Sequence, residues 1–400
     1  MKSLSLGMKK LLERNILLQY FASGLGWGRF FIPVLALFYI ASQVTLIQFS
    51  IIMSVFTLAT FLLEIPTGIF ADLIGKKKTL ILSRACYVIE ITLIAFCNGF
   101  WPFLIAKIIS GVGVSLGSGT SSAFLFDTLK RLNRTDEYKK IMGVSSLISN
   151  ISMAFVFIIG AYLFSLNSKL PAYVSLPFII SSFIIGFWLT EPYPHLIHKS
   201  NKQPLKHFIE SFGYFKKNRM LQYLSLLTFV TTGAVWVTQS FSSVYIKAIA
   251  IPVSLIGIIA FITSLLTGYF SKQTHKIESY LGNKKSLFFV QSALIIAILG
   301  MSLLIPYMGV LFYLIISFVA GTSGILISDF ANLRIPSSHR ATLLSMNNMF
   351  GSLGNTLLFP FVGYFTDLFS LQTAFVLFGL LVLIYSAFLY FVFRKFLRNL

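Results

Sequence analysis

The sequence predicts an all-α polytopic membrane protein, with twelve transmembrane helices arranged as two pseudo-symmetric halves of six. Three observations predict this fold: the composition is apolar, the apolar residues fall into twelve long runs, and short motifs of the first half recur in the second. Hydrophobic residues make up 56% of the 400 residues and charged residues only 11%, whereas soluble domains are about one quarter charged. A single soluble core could not bury this much apolar surface, so lipid must solvate part of it.

The twelve apolar runs are predicted to be helices, because a backbone in lipid must satisfy its polar groups within the segment. About 20 helical residues cross a bilayer core of about 30 Å. The basic residues before the first run resemble a signal peptide, but that run is too long for one, so we expect a retained first span. The runs cover residues 15–41, 45–73, 79–98, 101–127, 140–165, 170–190, 221–246, 252–272, 286–305, 308–332, 341–366 and 371–393.

The net charge of +20 is explained by the positions of the basic residues. If both termini are cytoplasmic, 28 of the 32 lysine and arginine residues fall on the cytoplasmic side of the predicted spans. The exceptions are Arg29, Lys107, Lys169 and Lys247. This asymmetry follows the positive-inside rule for a multi-pass protein of the cytoplasmic (inner) membrane. The lipid bilayer is therefore the expected partner of the basic residues, and nucleic acid is not.

The chain is predicted to divide near its midpoint. Residues 191–220 are rich in Lys, His, Asn and Pro and form the longest stretch outside the apolar runs. They are interpreted as a cytoplasmic linker between an N-terminal half, residues 1–190, and a C-terminal half, residues 221–400. Six-helix halves related by an axis along the membrane normal are a transporter architecture, with the substrate site between the halves.

Motifs shared by the two halves support a duplication. Gly119-Thr120-Ser121 precedes Asp127 in the fourth run, and Gly321-Thr322-Ser323 precedes Asp329 in the tenth, with the same spacing. The two aspartates are 202 residues apart, since 329 − 127 = 202. Glycine followed by basic residues also ends the connection after both the second run and the eighth. The second half lacks a counterpart of Asp72, so it is a degraded copy.

The connection between the second and third runs resembles the loop motif of the major facilitator superfamily, a Gly, then Asp, then Gly followed by basic residues. It reads Gly68-Ile-Phe-Ala-Asp72-Leu-Ile-Gly75-Lys76-Lys77-Lys78, with Leu73 where many members have Arg. Lys107-Ile-Ile-Ser-Gly111-Val-Gly113 is similar to that family's motif of a basic residue followed by glycines. Helix number, midpoint linker and repeated motifs extend the resemblance over essentially the whole chain.

The resemblance implies a monomeric secondary transporter that moves a small-molecule substrate by alternating access and needs no cofactor. It also implies a cytoplasmic gate, in which the loop motif pairs with Asp127. A second-half counterpart would involve Asp329, Arg334 and Arg340. The alternative is that the lysines have no gating role and only follow the positive-inside rule. The family's drug–proton antiporters often carry a proline-containing motif in the fifth span, and residues 142–150 contain no proline.

Four charged residues are expected within the membrane: Arg29, Glu64, Glu90 and Lys107. Charges at that depth are costly unless paired or hydrated, so they are functional candidates. Glu64 and Glu90 are the candidates for carrying a coupled proton, and a structural ion pair is the alternative for each. The sequence does not assign the pairs.

The family's inner helices supply further candidates for lining the substrate cavity. Packing is the alternative for each one, as it is for Asn347 and Asn348 in the eleventh run. The cavity candidates are Arg29, Lys107, Gln19, Trp27, Trp236, Gln239 and Asn332.

Several other chemistries are not indicated. His195 and His198 are three residues apart, but no cysteine or acidic cluster accompanies them, so we expect no metal site. There is no P-loop, nucleophile elbow or zinc motif, which argues against direct ATP drive and against an enzyme.

The leading functional hypothesis is proton-coupled export of a small organic solute, such as a drug or a metabolite. The aromatic, weakly charged interior favours it. The alternative is a proton-coupled importer of a sugar, peptide, siderophore or organic acid, since Arg29 and Lys107 would suit an anion. Two lesser alternatives are a passive facilitator and an accessory protein without transport of its own.

Overall fold

The computed structural model describes residues 5–193, 212–216, 218–332 and 340–397, and these form helices and connections without a β-strand. The α-helices are α1 (Leu6–Leu25), α2 (Leu35–Ala41), α3 (Leu46–Ile74), α4 (Lys76–Phe96), α5 (Phe100–Leu132), α6 (Tyr138–Leu166), α7 (Leu170–Trp188), α8 (Arg219–Ser240), α9 (Ser242–Ala248), α10 (Ile256–Leu281), α11 (Asn283–Met301), α12 (Val310–Asn332), α13 (Arg340–Leu368) and α14 (Leu371–Leu397).

Ten helical segments in the described part of the chain are long and apolar enough to cross a membrane. This confirms the predicted all-helical, polytopic membrane fold. The exact number of twelve spans stays a prediction, because α1 and α13 are not among the ten segments.

The first predicted run is interrupted. Helix α1 ends at Leu25, and a 3₁₀ turn at Ile32–Val34 precedes α2. A Cβ atom on Gly28 would lie 2.3 Å from the Cβ of Phe178, so only glycine allows the chain to pass this close to α7. The freed backbone N–H of Phe30 donates a hydrogen bond to Ser175 Oγ at 2.9 Å. Tertiary packing thus breaks a run that is continuous in the sequence.

The seventh predicted run is divided in the same way. Helices α8 and α9 meet at Phe241, whose ring and main chain are fully buried. The hydroxyl of Tyr245 in α9 donates to the carbonyl of Gly309 at 2.8 Å. This bond ties the short helix to the start of α12.

Contacts divide the chain into two compact units. Unit 1 contains Met1–Val34, Ala41–Gln43 and Ala59–Lys199, and unit 2 contains Leu35–Ile40, Val44–Leu58 and Ser200–Leu400. Helix α3 therefore contributes its first part to unit 2 and the remainder to unit 1. The boundary between halves at residues 191–220 falls largely outside the described residues and stays a prediction.

Unit 1 is built on close helix pairs. Helix α4 packs along α5 and α7, and α1 packs along α6. A Cβ atom on Gly160 of α6 would lie 1.9 Å from the carbonyl oxygen of Phe30. Small residues allow this backbone-to-backbone approach, which is how helices associate in lipid.

Unit 2 repeats this kind of contact. Helix α13 packs along α8, and a Cβ atom on Gly354 would lie 1.9 Å from the carbonyl oxygen of Phe229. Polar side chains add hydrogen bonds between helices: Thr231 Oγ1 and Gln291 Oε1 are 2.9 Å apart, and Gln291 Nε2 donates to Ser386 Oγ at 2.7 Å.

The C-terminus of α4 is capped by a lysine from another connection. Lys169 Nζ donates to the carbonyls of Ile94 at 3.0 Å and Cys97 at 2.9 Å. Cations are favourable at this end of a helix dipole. Burial lowers the pKa of Lys169. Lys169, one of the lysines that depart from the positive-inside pattern, thus satisfies carbonyl groups at the end of α4.

We predict that Gly160→Ala destabilises the protein, because the added methyl group would overlap the carbonyl of Phe30. Overpacking of this kind costs about 1–3 kcal/mol. Gly143→Ala is the matched control in the same helix, where a Cβ atom meets nothing within 4 Å. Alanine there should be neutral or stabilise the helix by up to about 1 kcal/mol. Thermal unfolding of the detergent-solubilised protein checks both changes, and equal melting temperatures for the two variants would contradict the packing argument.

Candidate functional site

A fully buried carboxylate lies within unit 1 between two cations. Glu90 on α4 has no exposed side-chain surface. Its Oε1 accepts a hydrogen bond from Lys107 Nζ at 2.7 Å. Its Oε2 lies 3.6 Å from Arg29 Nη2. The structure thus joins three of the four predicted intramembrane charges, and we call Arg29, Glu90 and Lys107 the charge cluster.

Helix packing positions the Lys107–Glu90 pair. Helices α4 and α5 follow each other through a short connection and pack along their lengths. A Cβ atom on Gly113 would lie 3.0 Å from both the Cβ of Cys86 and the carbonyl of Ser83, so this glycine permits the close approach. Gly113, the second glycine after the basic residue in the sequence motif, therefore has a structural role beside it.

Arg29 reaches Glu90 from the interrupted segment between α1 and α2. Its guanidinium carbon lies 4.2 Å from the centre of the Tyr87 ring, a cation–π geometry. Tyr87 and Glu90 are three residues apart on α4 and share a face. The Nε atom of Arg29 is buried without a hydrogen-bond partner, and the side chain keeps 18% of its surface exposed. Arg29 is therefore oriented by stacking and held only loosely by Glu90.

The charge cluster carries one positive charge in excess, because two cations face one carboxylate. The fourth predicted charge, Glu64, is exposed on α3 and forms no ion pair within the described ranges. A buried charge without a counter-charge is costly in a medium of low dielectric constant. The cluster is therefore an electropositive site in the helical part of unit 1.

A second group of charges surrounds the N-terminus of α4. Lys76 Nζ forms an ion pair with Asp127 of α5. The backbone N–H of Lys77 donates to Glu191 Oε2 at 2.7 Å. Gly75 precedes the helix at φ +95°, a conformation that glycine adopts readily. A carboxylate at a helix N-terminus is favoured by the helix dipole.

Only some residues of the predicted loop motif thus form the expected contacts. Asp127 and Lys76 are brought together as expected, whereas Asp72 is exposed and has no ion pair among the described side chains. Gly68 and Lys78 are exposed, and a Cβ atom on Gly68 would meet nothing within 4 Å.

Two charged residues of unit 1 were missed by sequence reasoning. Glu191 was assigned to the linker, although an acid directly after an apolar run is a candidate helix cap; burial raises its pKa. Arg84 was counted with the helix ends, but it lies within α4 and donates to the carbonyl of Ser182 at 3.1 Å. Its place inside the third apolar run was the available signal.

The remaining cavity candidates are dispersed. Gln19 Nε2 donates to Ser121 Oγ at 3.0 Å within unit 1, and Trp27 is partly exposed. Trp236 and Gln239 are exposed on α8 in unit 2. Of the other two asparagines considered, Asn347 is buried against Thr228, with 3.0 Å between its Oδ1 and the Thr228 hydroxyl, and Asn348 is exposed.

The second-half gate residues are described only in part. Asp329 and Asn332 line a cavity of about 560 Å³ beside α10 and α12, and Asn332 Oδ1 has no hydrogen-bond partner there. Arg334 lies outside the described residues, as do His195 and His198, and the side chain of Arg340 is not described. The described residues contain no group of three or more potential His, Cys, Asp or Glu metal ligands.

Unit 1 also contains an apolar cavity of about 550 Å³ between α1, α6 and α7. Two of its lining residues, Gly28 and Phe30, flank Arg29 in the chain. The Phe30 and Phe178 rings meet edge to face at 5.1 Å. Its aromatic lining residues are Tyr20, Phe21, Phe30, Phe155 and Phe178.

The chain is similar to known transporters in sequence and in fold. The uncharacterized MFS-type transporter YxaM of Bacillus subtilis is 24% identical over 375 residues, which are 90% of this chain and 91% of that protein. The solved structure of the nucleoside transporter NupG superposes with a TM-score of 0.76 at 16% identity and covers 96% of this chain and 99% of its own.

A D-xylose–proton symporter has a TM-score of 0.68 at 12% identity, covering 94% of this chain and 96% of its own. At these identities the solved structures show the fold alone. The sequence profile of the Major Facilitator Superfamily matches residues 16–357. The match covers most of the chain, including the loop motif, the charge cluster and the repeated motif of α12. The chain therefore belongs to the Major Facilitator Superfamily and is a multi-pass membrane protein with the fold of that family of transporters.

Proposed function

We propose that the protein is a secondary active transporter that moves a small organic solute by alternating access and couples this movement to protons. The observation that carries the proposal is the fully buried Glu90 between Arg29 and Lys107. An ionisable group at membrane depth is costly, and such groups mark substrate and proton pathways.

The charge cluster offers a physical route to coupling. Its two ion pairs are unequal, at 2.7 Å for Lys107 and 3.6 Å for Arg29. Arg29 lies on an irregular segment rather than within a helix, so its contact is the one that a conformational change breaks with the least rearrangement. Breaking it removes one of the two positive charges beside Glu90, which makes the ionised form of the buried carboxylate less favourable and proton binding more favourable. Proton binding and the conformational state of the carrier are thereby linked.

The Lys76–Asp127 pair and the Glu191 cap form the proposed cytoplasmic gate. The pair is partly exposed, at 23% for Lys76 and 26% for Asp127. Solvated pairs contribute about 0–1 kcal/mol each. Two conformations of a carrier differ by only a few kcal/mol, so contacts of this size shift their populations measurably.

Export is the first direction to test. The aromatic cavity of unit 1 supports an organic, partly apolar solute, since ligand pockets combine apolar walls with a few polar groups. Import is the second candidate, because the chain has the fold of a D-xylose–proton symporter. Dissipating the proton gradient should raise cell-associated solute for an exporter and lower it for an importer. Equal internal and external concentrations at steady state would instead indicate a passive facilitator.

We further propose that both termini face the cytoplasm, that the protein resides in the cytoplasmic membrane, and that it works as a monomer of two six-helix halves. The distribution of lysine and arginine supports this orientation. Alkaline phosphatase and green fluorescent protein fusions at the C-terminus would test it, since only the latter is active in the cytoplasm.

We predict that Glu90→Gln abolishes proton coupling and that Glu64→Gln preserves it. Glu90 is the buried carboxylate of the charge cluster, whereas Glu64 undergoes the same change at an exposed position. Inverted membrane vesicles are acidified inside and loaded with a pH-sensitive dye, and candidate solutes are added in turn. Wild type and Glu64→Gln should release the gradient when the solute is present, and Glu90→Gln should not.

The control for folding is the double variant Glu90→Gln, Lys107→Gln. Removing one partner of a buried pair costs about 3–5 kcal/mol, and removing both restores the net charge that the cluster has in the wild type. The double variant should elute as a folded protein in detergent and remain uncoupled. Solute-dependent release by a folded Glu90 variant would reject this carboxylate as the coupling group.

We predict that Asp127→Asn changes the transport rate up to about five-fold, which corresponds to the roughly 1 kcal/mol of a partly solvated ion pair. Asp136→Asn is the control, because Asp136 is exposed and forms no ion pair among the described residues. Initial rates in vesicles with matched expression provide the measurement. If the two substitutions changed the transport rate equally, the effect would reflect net charge alone, and the gate would be rejected.

A further inference from the structure

The guanidinium of Arg29 presents an edge of donors that its protein partners do not fill. Nε and Nη2 lie on one edge of the planar group and together match the two oxygens of a carboxylate. Nε is buried without a hydrogen-bond partner. Nη2 lies 3.6 Å from Glu90 Oε2, beyond the 2.7–2.9 Å of a charge-assisted hydrogen bond. Glu90 Oε2 likewise has no hydrogen-bond partner.

The charge balance of the cluster also favours the binding of an anion. Lys107 and Glu90 form a complete pair at 2.7 Å, which leaves the charge of Arg29 in excess. One added negative charge would convert the cluster into two neutral pairs. Because isolated buried charges are costly, a monoanionic group at Arg29 is favoured over a neutral one.

Arg29 is also the accessible member of the cluster. Its side chain keeps 18% of its surface exposed, compared with 8% for Lys107 and none for Glu90. Stacking on Tyr87 at 4.2 Å fixes the plane of the guanidinium. Arg29 is thus pre-oriented, partly open and short of hydrogen-bond acceptors.

We propose that the transported solute carries a carboxylate, which Arg29 binds through its guanidinium while Glu90 stays paired with Lys107. This proposal rests on the proposed transport function and adds the chemical class of the solute.

The test measures binding without a proton gradient, so its result is independent of the proposed coupling. Purified protein in neutral detergent is heated with one of three carboxylates or its matched amide: benzoate and benzamide, phenylacetate and phenylacetamide, hexanoate and hexanamide. A ligand that binds only the folded state raises the melting temperature. At equal concentrations, at least one carboxylate should stabilise the wild type more than its amide does.

Three variants assign the effect to Arg29. Arg29→Gln should weaken carboxylate binding by about ten-fold or more, as expected for a lost charge-assisted contact. Arg29→Lys keeps the positive charge but lacks the planar pair of N–H donors, so it should retain only part of the affinity for carboxylates. Lys247→Gln removes a charge from an exposed lysine of α9 and should bind as the wild type does.

Glu90→Gln distinguishes the proposed carboxylate site from a purely structural ion pair, because only the former predicts a change in carboxylate affinity. It removes the competing carboxylate and raises the excess charge, so carboxylate affinity should increase while amide affinity stays constant. If the single variant fails to fold, Arg29→Gln, Glu90→Gln keeps the net charge of the cluster and should lose the preference for carboxylates. Equal shifts for acids and amides, no shift with any probe, or an unchanged preference without Arg29 would each overturn the proposal.

Discussion

The ion pair between Glu90 and Lys107 is the interaction on which the interior of unit 1 depends. Both side chains are buried between α4 and α5, where neither charge is tolerated alone. Their contact fixes the register of the two helices at the point where Gly113 brings the backbones together. Glu90, held by this pair, lies 3.6 Å from Arg29. The break between α1 and α2 then gives Arg29 a position that a continuous helix would not.

Helix α4 connects the two groups of charges that we associate with transport. Its N-terminus meets Glu191 beside the Lys76–Asp127 pair, its middle carries Glu90, and its C-terminus is capped by Lys169. A helix with satisfied ends and a close-packed neighbour moves as a rigid body. A charge change at Glu90 and a rearrangement at the Lys76–Asp127 pair therefore act on the same element, which is a physical basis for coupling the cluster to the proposed gate.

Glycine recurs at several positions where segments of the chain approach each other closely. Gly28, Gly113, Gly160 and Gly354 each lie where a Cβ atom would meet another segment of the chain at 3.0 Å or less. In lipid there is no hydrophobic drive between apolar helices, so small residues and hydrogen bonds determine which faces pair. Gly113 thus supports the charge cluster, because it lets α5, which carries Lys107, approach α4, which carries Glu90.

The sequence by itself determined the membrane fold and most of the charged candidates, because apolar runs and rare intramembrane charges are local properties. It identified Arg29, Glu90 and Lys107 but could not pair them, since the paired residues are 17 and 61 residues apart in the chain (107 − 90 and 90 − 29). Only the tertiary structure separated Glu64 from the cluster, placed Glu191 at the start of α4 and broke the first and seventh runs. Those features depend on contacts between helices that are distant in sequence, and such contacts leave no periodic signal in a single chain.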